Sequence, residues 1–416
     1  MAFSVRETSD RILGAARVLG PELVTLRDSL VRILAEDVRS PIELPPWDNS
    51  SMDGYAVRAA DVAEARAGHP VLLRVLETVR AGQRPTRALS EATAIRVMTG
   101  APVPNGADSV IRVEDTDGGE SMVAIRDPRD AHRNIRPRGE DLRVGAVAID
   151  GGALIGPAQL GVLASVGCVT VPVIRRPRVA VLASGDELVD VDRFDEVKRG
   201  DRIISSNSYT IRAAAEAAGA EVIDLGIVPD EPDEYRTRIE RAKGCDILVT
   251  CGGVSVGAFD FTKDVLRSLG AEQQLWRVSM RPGAPLGFGA LGDMLWLGLP
   301  GNPVSAMVTF ELFGRPLIRK MRGEKRLFRR AIDVRIDDAI TLAAPLTHFM
   351  RAIVHWEDDR PIARLTGPQG SGLLTSMARA NALLVIPPER EHIEPGELAR
   401  AILLGDDAAT SDRFYV

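Results

Sequence analysis

The stretch Asp246-Ile-Leu-Val-Thr-Cys-Gly-Gly-Val-Ser-Val-Gly-Ala-Phe-Asp-Phe-Thr-Lys-Asp264 decides how this chain is read. Residues 246–250 are a short, mainly apolar run of the kind a fully buried parallel strand has. The run stops at Gly252 and Gly253, and Gly257 follows. Glycines after a strand let the backbone turn sharply and bring its N–H groups close to a ligand. Asp260 stands where a helix N-cap belongs, ahead of a helix expected over 261–269 and closed by Gly270. Strand, glycine loop and helix N-terminus together make an anion-binding arrangement. A bare turn would need one glycine rather than three. The loop also spells G-x-S-x-G as Gly253-Val-Ser-Val-Gly257. A nucleophile elbow needs its helix to begin at the serine and a histidine downstream. Here the helix signal comes later, and His348, His355 and His392 fall in a region that reads as separate and β-rich, so a serine hydrolase is disfavoured.

Outward from this stretch the pattern is regular. Strands expected at 179–183, 221–226, 246–250 and 294–298 alternate with helices at 208–218, 232–242, 261–269 and from Pro303 to about residue 321. Such alternation implies a doubly wound α/β domain with a parallel sheet. Ligands of such sheets bind beyond the carboxyl ends of the strands. Gly185-Asp-Glu187, Asp230, Gly252 to Asp260 and Gly301 to Ser305 all lie there. Acids beside anion-cradling glycines suggest a divalent cation, Mg²⁺, bridging to phosphate. Taken singly, Asp186, Glu187, Asp230 and Asp260 read equally well as ordinary caps.

On the N-terminal side, Ile12, Leu13, Ala16 and Leu19 make a helical stripe ended by Gly20-Pro21, and a second helix is expected over 26–36 from Leu26, Leu30, Ile33 and Leu34. The proline-rich crossing from Pro41 ends in a polar loop with Trp47, Asp48, Asn49, Ser50, Ser51 and Asp53. Strands are expected at 71–75, 95–98, 109–113 and 122–125, with a proline-broken loop from Thr99 to Asp108. A short helix follows Gly156, with Pro157 at its first position. Beyond the basic run 325–330, short strands at 331–336, 350–356, 362–365, 382–386 and 398–403 imply a small β domain or barrel. The polar segment 369–381 interrupts it, and the tail after Gly405 reads as disordered.

At 416 residues the chain should form two to four domains. Its net charge of −6 argues against general nucleic-acid binding. Cys168, Cys245 and Cys251 share no CxxC spacing and read as reduced thiols of a cytoplasmic protein. No apolar run has the length of a membrane span, and no signal-peptide core is evident at the N-terminus.

Taken in order, Pro46-Trp-Asp-Asn-Ser-Ser-Met-Asp-Gly-Tyr-Ala-Val57, Met98-Thr-Gly-Ala-Pro-Val-Pro104, Arg138-Gly-Glu-Asp141, Ser184-Gly-Asp-Glu-Leu188, Gly252-Gly-Val-Ser-Val-Gly257, Pro300-Gly-Asn-Pro-Val-Ser305 and the segment 369–381 resemble the molybdopterin molybdenumtransferase family, to which bacterial MoeA and the E domain of gephyrin belong. The resemblance spans nearly the whole chain. It implies a split, elongated helical N-terminal domain (1–45 with 141–173), an inserted β domain (46–140), an α/β molybdopterin-binding domain (174–323), a C-terminal β-barrel (324–405) and a tail (406–416). It implies a homodimer with an inter-subunit active site. The implied reaction inserts molybdate into adenylylated molybdopterin and releases AMP, with Mg²⁺ as cofactor. The molybdopterin adenylyltransferase and apo-molybdoenzymes are the implied partner proteins. By position, Asp53, Thr99, Asp141 and Glu187 match catalytic residues, and Glu187, Asp230 and Asp260 match metal-side acids. The substrate-binding positions are Gly252, Gly253, Ser255, Gly257, Arg277, Arg281, Pro300, Gly301, Asn302, Ser305, Arg351 and Ser371. Two departures stand out. Arg281-Pro-Gly-Ala-Pro285 occupies a place where the family often has Lys-Pro-Gly-Lys-Pro, and Arg277 stands where lysine is frequent. Two other readings of the same chain are a molybdopterin-binding scaffold with little or no turnover and a molybdopterin adenylyltransferase.

Overall fold

The computed structural model describes residues 2–253, 261–342, 345–358 and 360–405. Ser255, Gly257, Asp260 and the tail 406–416 therefore lie outside the described residues, as does most of the G-x-S-x-G stretch. The chain divides into two compact units, Met1–Glu22 with Val173–Val416, and Leu23–Pro172.

In the first unit the strand at the centre of the opening stretch runs Ile247–Cys251, and all five residues are buried. It lies between the parallel strands Arg178–Ser184 and Met294–Leu299, and Glu221–Val228 pairs with Arg178–Ser184 from the far side. Successive side chains of a strand point to opposite faces. Val179, Val181 and Ala183 accordingly pack with Ile12, Ile211, Ala215, Val304 and Val308. Ala180 and Leu182 pack instead with Tyr235, Ile239, Val265 and Leu266. Helices thus cover both faces, as the alternating pattern requires.

The sheet is not wholly parallel. Pro285–Leu291 and Glu272–Arg277 extend it to six strands, both antiparallel to their neighbours. The cause is local: Leu291 pairs directly with Met294 across Gly292-Asp293, and Gly292 supplies a φ of 61°. A two-residue connection of this kind can join only antiparallel strands. The expected long helix after Pro303 is also modified. It runs Pro303–Thr309, widens to a π-turn over Phe310–Gly314 and resumes as Arg315–Met321. Pro316 has no N–H to donate to the preceding turn, which accounts for the widening.

Within the same unit, Ala331–Ile336, Thr347–Glu357, Arg360–Leu365, Ala382–Ile386 and Leu398–Leu403 close into a five-stranded barrel, because Thr347–Glu357 pairs with both Arg360–Leu365 and Ala382–Ile386. Val334, Ala352, Ala363, Leu384 and Ala401 fill it. The segment 369–381 contains a short helix, Leu374–Arg379.

The second unit carries a five-stranded sheet in the order Ser109–Arg112, Gly54–Val57, Thr93–Val97, Val71–Val79 and Met122–Ile125. The α-helix expected over 26–36 does not form. Only the single 3-10 turn Arg27–Ser29 is helical, Val31 takes a φ of 59°, and Ile33 bridges Leu154 in extended pairing. The apolar spacing was a poor guide because Val31 and Ile33 are β-branched and find strand partners in Ala153–Ile155, whose carbonyls accept the N–H groups of Val31 and Leu34. The first helix, Val5–Ala15, begins with a capping box between Ser4 and Glu7 and stops short of Ala16 and Leu19, which are buried all the same. No described helix is long and apolar enough to cross a membrane.

Candidate active site

The four parallel strands of the first unit end in register. Ser184 pairs with Val228, Ala183 with Cys251, and Cys251 with Leu299. The loops that follow therefore open on one place: Gly185-Asp-Glu187, Pro229-Asp230, Gly252-Gly253 and Pro300-Gly-Asn302. They line a cavity of about 650 Å³, together with Ile203, Ser205 and Asn207 from the start of the helix Ser206–Ala217. That volume lies within the range of small-molecule sites.

Close backbone approach shapes the cavity. Gly252 has a φ of 98°, and a Cβ there would stand 2.7 Å from the Ser184 carbonyl oxygen. A Cβ on Gly185 would meet Glu187 Oε2 at 2.6 Å, so the glutamate carboxylate folds back over the loop that carries it. The N–H of Gly252 donates to Leu299 O at 3.1 Å and continues the sheet ladder, so this amide is not available to a ligand.

Two buried polar atoms line the cavity without a partner among the described residues, Ser184 Oγ and Asn207 Oδ1. The same Asn207 donates from Nδ2 to Gly301 O at 2.7 Å, which fixes the amide and leaves its oxygen to be satisfied. A buried oxygen left unpaired costs about 1–3 kcal/mol, so such atoms mark where a ligand or water belongs. The sequence reading missed Asn207 as a site residue. Its signal was the polar run Ser205-Ser-Asn-Ser208 at a helix start, which reads as simple capping.

The charge of the lining is one-sided. Glu187 and Asp230 face the cavity, and no lysine or arginine lines it among the described residues. Asp186 lines a neighbouring cavity with Arg193, Arg202 and Arg238, and its Oδ1 accepts the Asp230 N–H at 3.1 Å. Burial, and then the charges of Asp186 and Glu187, push the Asp230 carboxyl above its usual range. Cys251 also lines the cavity, but burial pushes its thiol up to about 12, so it is a neutral packing group.

The oxyanion positions come together apart from this lining. Ser371 O accepts the Val304 N–H at 3.1 Å, at the start of the helix Pro303–Thr309 that carries the buried Ser305. Arg351 is 1% exposed, donates from Nη2 to Gly370 O at 3.0 Å and from Nε to Ser376 Oγ at 3.1 Å. Burial lowers its pKa, and no carboxylate pairs with it among the described residues. Gly283, with a φ of 96°, packs so closely on Thr309 that a Cβ would stand 2.3 Å from Oγ1. Ala284 is thereby held near the same helix. Arg277 and Arg281 are exposed, and Arg281 pairs in register with His348.

In the second unit Asp53 Oδ1 accepts both the N–H and the hydroxyl of Thr99, each at 2.7 Å. These two bonds hold its carboxyl below the usual range. Asp141 is exposed, its N–H donating to Leu44 O at 2.9 Å, and its carboxylate forms no ion pair among the described residues.

Comparison with known proteins places this arrangement. Residues 3–167 match the MoeA N-terminal region (domain I and II), 180–320 a probable molybdopterin binding domain, and 333–404 the MoeA C-terminal region (domain IV). A protein of Bacillus subtilis (strain 168) named molybdopterin molybdenumtransferase is 36% identical over 391 residues, covering 93% of this chain and 90% of the relative. The chain is a member of the molybdopterin molybdenumtransferase family. A second family member, molybdopterin molybdenumtransferase 2 of Mycobacterium tuberculosis (strain ATCC 25618 / H37Rv), is 37% identical over 399 residues, 94% of this chain and 97% of the relative. The crystal structure of a molybdopterin biosynthesis moea protein from Pyrococcus horikosii superposes with a TM-score of 0.83 at 30% identity, over 97% of this chain and 100% of that one. The family's multidomain architecture is therefore present here, and apart from Gly372 the cavity at the strand ends is lined from the stretch that matches the molybdopterin binding domain.

Proposed function

We propose that this chain performs the molybdenum-insertion step of molybdenum cofactor synthesis. It takes adenylylated molybdopterin and molybdate; one water hydrolyses the phosphoanhydride and frees AMP, and the two dithiol sulfurs bind molybdenum as one molybdate oxygen leaves as water with their two protons, giving molybdenum cofactor. The observation that carries the reading is the cavity at the strand ends, which among the described residues combines two buried oxygens without a partner with a charged lining that is all acidic. Ser184 Oγ and Asn207 Oδ1 bind polar groups of the ring system and orient it. Ile203, Pro285 and Pro300 supply the apolar contacts that exclude water.

An acidic cavity repels a diphosphate unless a cation intervenes. The carboxylates of Glu187 and Asp230 are the hard oxygen donors that Mg²⁺ prefers; Asp260, the third acid of the sequence reading, lies outside the described residues. The raised pKa of Asp230 is what crowded acids show before a cation relieves them. The donor set thus fits Mg²⁺, although no ready-made trio of ligating side chains stands among the described residues. When bound there, Mg²⁺ supplies neutralising charge to the diphosphate. The molybdate oxyanion is assigned to Arg351, Ser305 and Ser371, where a buried guanidinium with no carboxylate partner among the described residues stands beside a helix start.

A homodimer belongs to the same proposal, with Asp53 and Thr99 contributed by the second copy. Leu23, Leu30, Val31, Leu154, Val162 and Val169 are all exposed, and Val169 is 81% so. They sit on two segments that hydrogen-bond to each other, Leu26 to Val169 and Val31 to Ile155. Apolar surface gathered in this way marks an interaction face. Incubation of the pure protein with adenylylated molybdopterin, Mg²⁺ and molybdate should release AMP. Absence of AMP, with the substrate bound, would leave a scaffold role. Light scattering that gives a monomer at micromolar concentration would reject the dimer.

A further inference from the structure

A second cavity, of about 690 Å³, lies wholly in the Leu23–Pro172 unit. Pro46, Trp47, Pro85, Ala88, Pro102 and Val103 make its apolar walls, and Asp48, Arg84, Arg87 and Arg138 its charged ones. Nothing in the molybdenum reading uses these arginines.

The cavity is built rather than incidental. The Glu77 carboxylate accepts the N–H of Thr86 at 2.9 Å, the Thr86 hydroxyl at 2.7 Å and the N–H of Arg87 at 2.9 Å. The Leu89 N–H donates to Asn105 O at 2.9 Å and ties down the other end of that loop. Across the opening, Asp48 Oδ1 accepts the Arg138 N–H at 2.6 Å. The loop is thus pinned on both sides of Arg84 and Arg87, which leaves their side chains to project from a fixed base. Arg138 is already paired with Glu43. Neither Arg84 nor Arg87 forms an ion pair with a described residue, and Arg84 lies over the Trp47 ring, 5.6 Å from its centroid. A guanidinium stacked on an indole keeps its in-plane N–H donors free. Arg87 also acts on the charge of the Glu77 carboxylate below it, and Arg84 has no carboxylate partner among the described residues, so three guanidinia face the one carboxylate of the lining, Asp48, a local excess of positive charge in a chain of net charge −6.

We infer that this cavity is a binding site for a nucleoside monophosphate. A bare oxyanion would satisfy the arginines and leave the indole and prolines without a role, and the space is far larger than such an ion needs. An uncharged aromatic ligand would leave the guanidinia unmatched. A phosphate joined to a flat ring uses both walls: the phosphate meets the forks of Arg84 and Arg87, and the base packs against Trp47, which is 36% exposed. The inference rests on this cavity alone and stands or falls apart from the molybdenum reading.

The test is titration of the full chain with AMP, adenosine and inorganic phosphate, followed by Trp fluorescence and calorimetry. AMP should bind saturably and quench a signal that is lost in Trp47→Phe. Adenosine and phosphate should each bind at least tenfold more weakly. The double variant Arg84→Gln/Arg87→Gln changes only exposed side chains, so it should fold and keep AMP release from adenylylated molybdopterin. It should lose about ten- to a hundredfold in AMP affinity for each charged contact removed. Gly301→Ala, which alters the other cavity, should leave this binding event unchanged. Phosphate binding as tight as AMP would overturn the nucleotide assignment. So would AMP binding that survives the double variant or disappears in Gly301→Ala.

Discussion

Gly301→Ala separates a glycine kept for a ligand from one kept for the fold. A Cβ at Gly301 would find its nearest neighbour, the Gly252 Cα, at 3.9 Å, and the backbone there is not left-handed. The carbonyl that accepts Asn207 Nδ2 at 2.7 Å is untouched by the change. The variant should therefore unfold within about 0.5 kcal/mol of the wild type, or gain up to about 1 kcal/mol from a less flexible unfolded chain. The new methyl stands at the cavity wall, where the substrate has to pack. Overfilling a close-packed site costs about 1–3 kcal/mol, so kcat/KM for AMP release should fall by roughly 5- to 150-fold. Gly252→Ala is the contrast. Its φ of 98° and the 2.7 Å approach to Ser184 O are both incompatible with a side chain. Stability should drop by about 2–5 kcal/mol from the left-handed conformation and the clash together. Urea unfolding followed by steady-state AMP release reads both quantities. A Gly301→Ala protein with wild-type kcat/KM, or one that loses more than about 2 kcal/mol of stability, refutes the placement of the substrate against this loop.

Three further outcomes follow from the site. Thr99→Val removes one of the two donors that hold Asp53 below its usual pKa, so the acid limb of the pH–activity profile should move to higher pH; an unmoved limb means that the Asp53–Thr99 pair does not bear on turnover. Asp53 itself contributes stability that is present above the ordinary carboxylate pKa and lost as pH falls through its depressed value. Asp230 has the opposite sign: its raised pKa means that Mg²⁺ affinity, read by calorimetry, should decline with falling pH before an ordinary carboxylate would protonate, and Asp230→Asn should weaken Mg²⁺ binding and remove that decline. Ala284→Lys restores a charge beside the helix that carries Ser305 and should tighten molybdate by about ten- to a hundredfold; unchanged affinity would point to Arg281 as the substitute cation.

Most of the fold was legible where periodicity and punctuation agreed. The strands Met122–Ile125, Ala331–Ile336, Ala382–Ile386 and Leu398–Leu403 stand where short strands are expected, and glycine follows the helices Pro157–Ser165 and Ser206–Ala217 as expected. Sequence reading failed where a pattern had two physical meanings. Leu26, Leu30, Ile33 and Leu34 fit a helical stripe, but Val31 and Ile33 pair with Ala153–Ile155, a contact over a hundred residues away that local spacing does not encode. The antiparallel edge of the main sheet was missed because its strands, Glu272–Arg277 and Pro285–Leu291, carry polar residues and glycines in place of an apolar run. Asn207 was missed because a polar residue at a helix start is ambiguous until its second atom is seen to lack a partner.

The acids at the strand ends carry the strongest argument about chemistry. Asp186, Glu187 and Asp230 stand on two loops, and none of them forms an ion pair among the described residues. A fold gains nothing in stability from crowding three carboxylates: burial and mutual repulsion already push Asp230 upward, which is a cost to the folded state at neutral pH. Structural acids elsewhere in the chain are treated differently. Asp130 is held by Arg112 at 2.7 Å and Asp115 by Arg129 at 2.6 Å. The chain thus pairs these carboxylates with arginine and leaves Glu187 and Asp230 without a basic partner among the described residues that line the cavity. A cation that arrives with a phosphate-bearing substrate removes that repulsion only in the complex, so its binding to the loaded site should be tighter than to the free protein. Calorimetric titration of Mg²⁺ with and without adenylylated molybdopterin measures the difference, and equal affinities in the two titrations would remove the reason for the crowding.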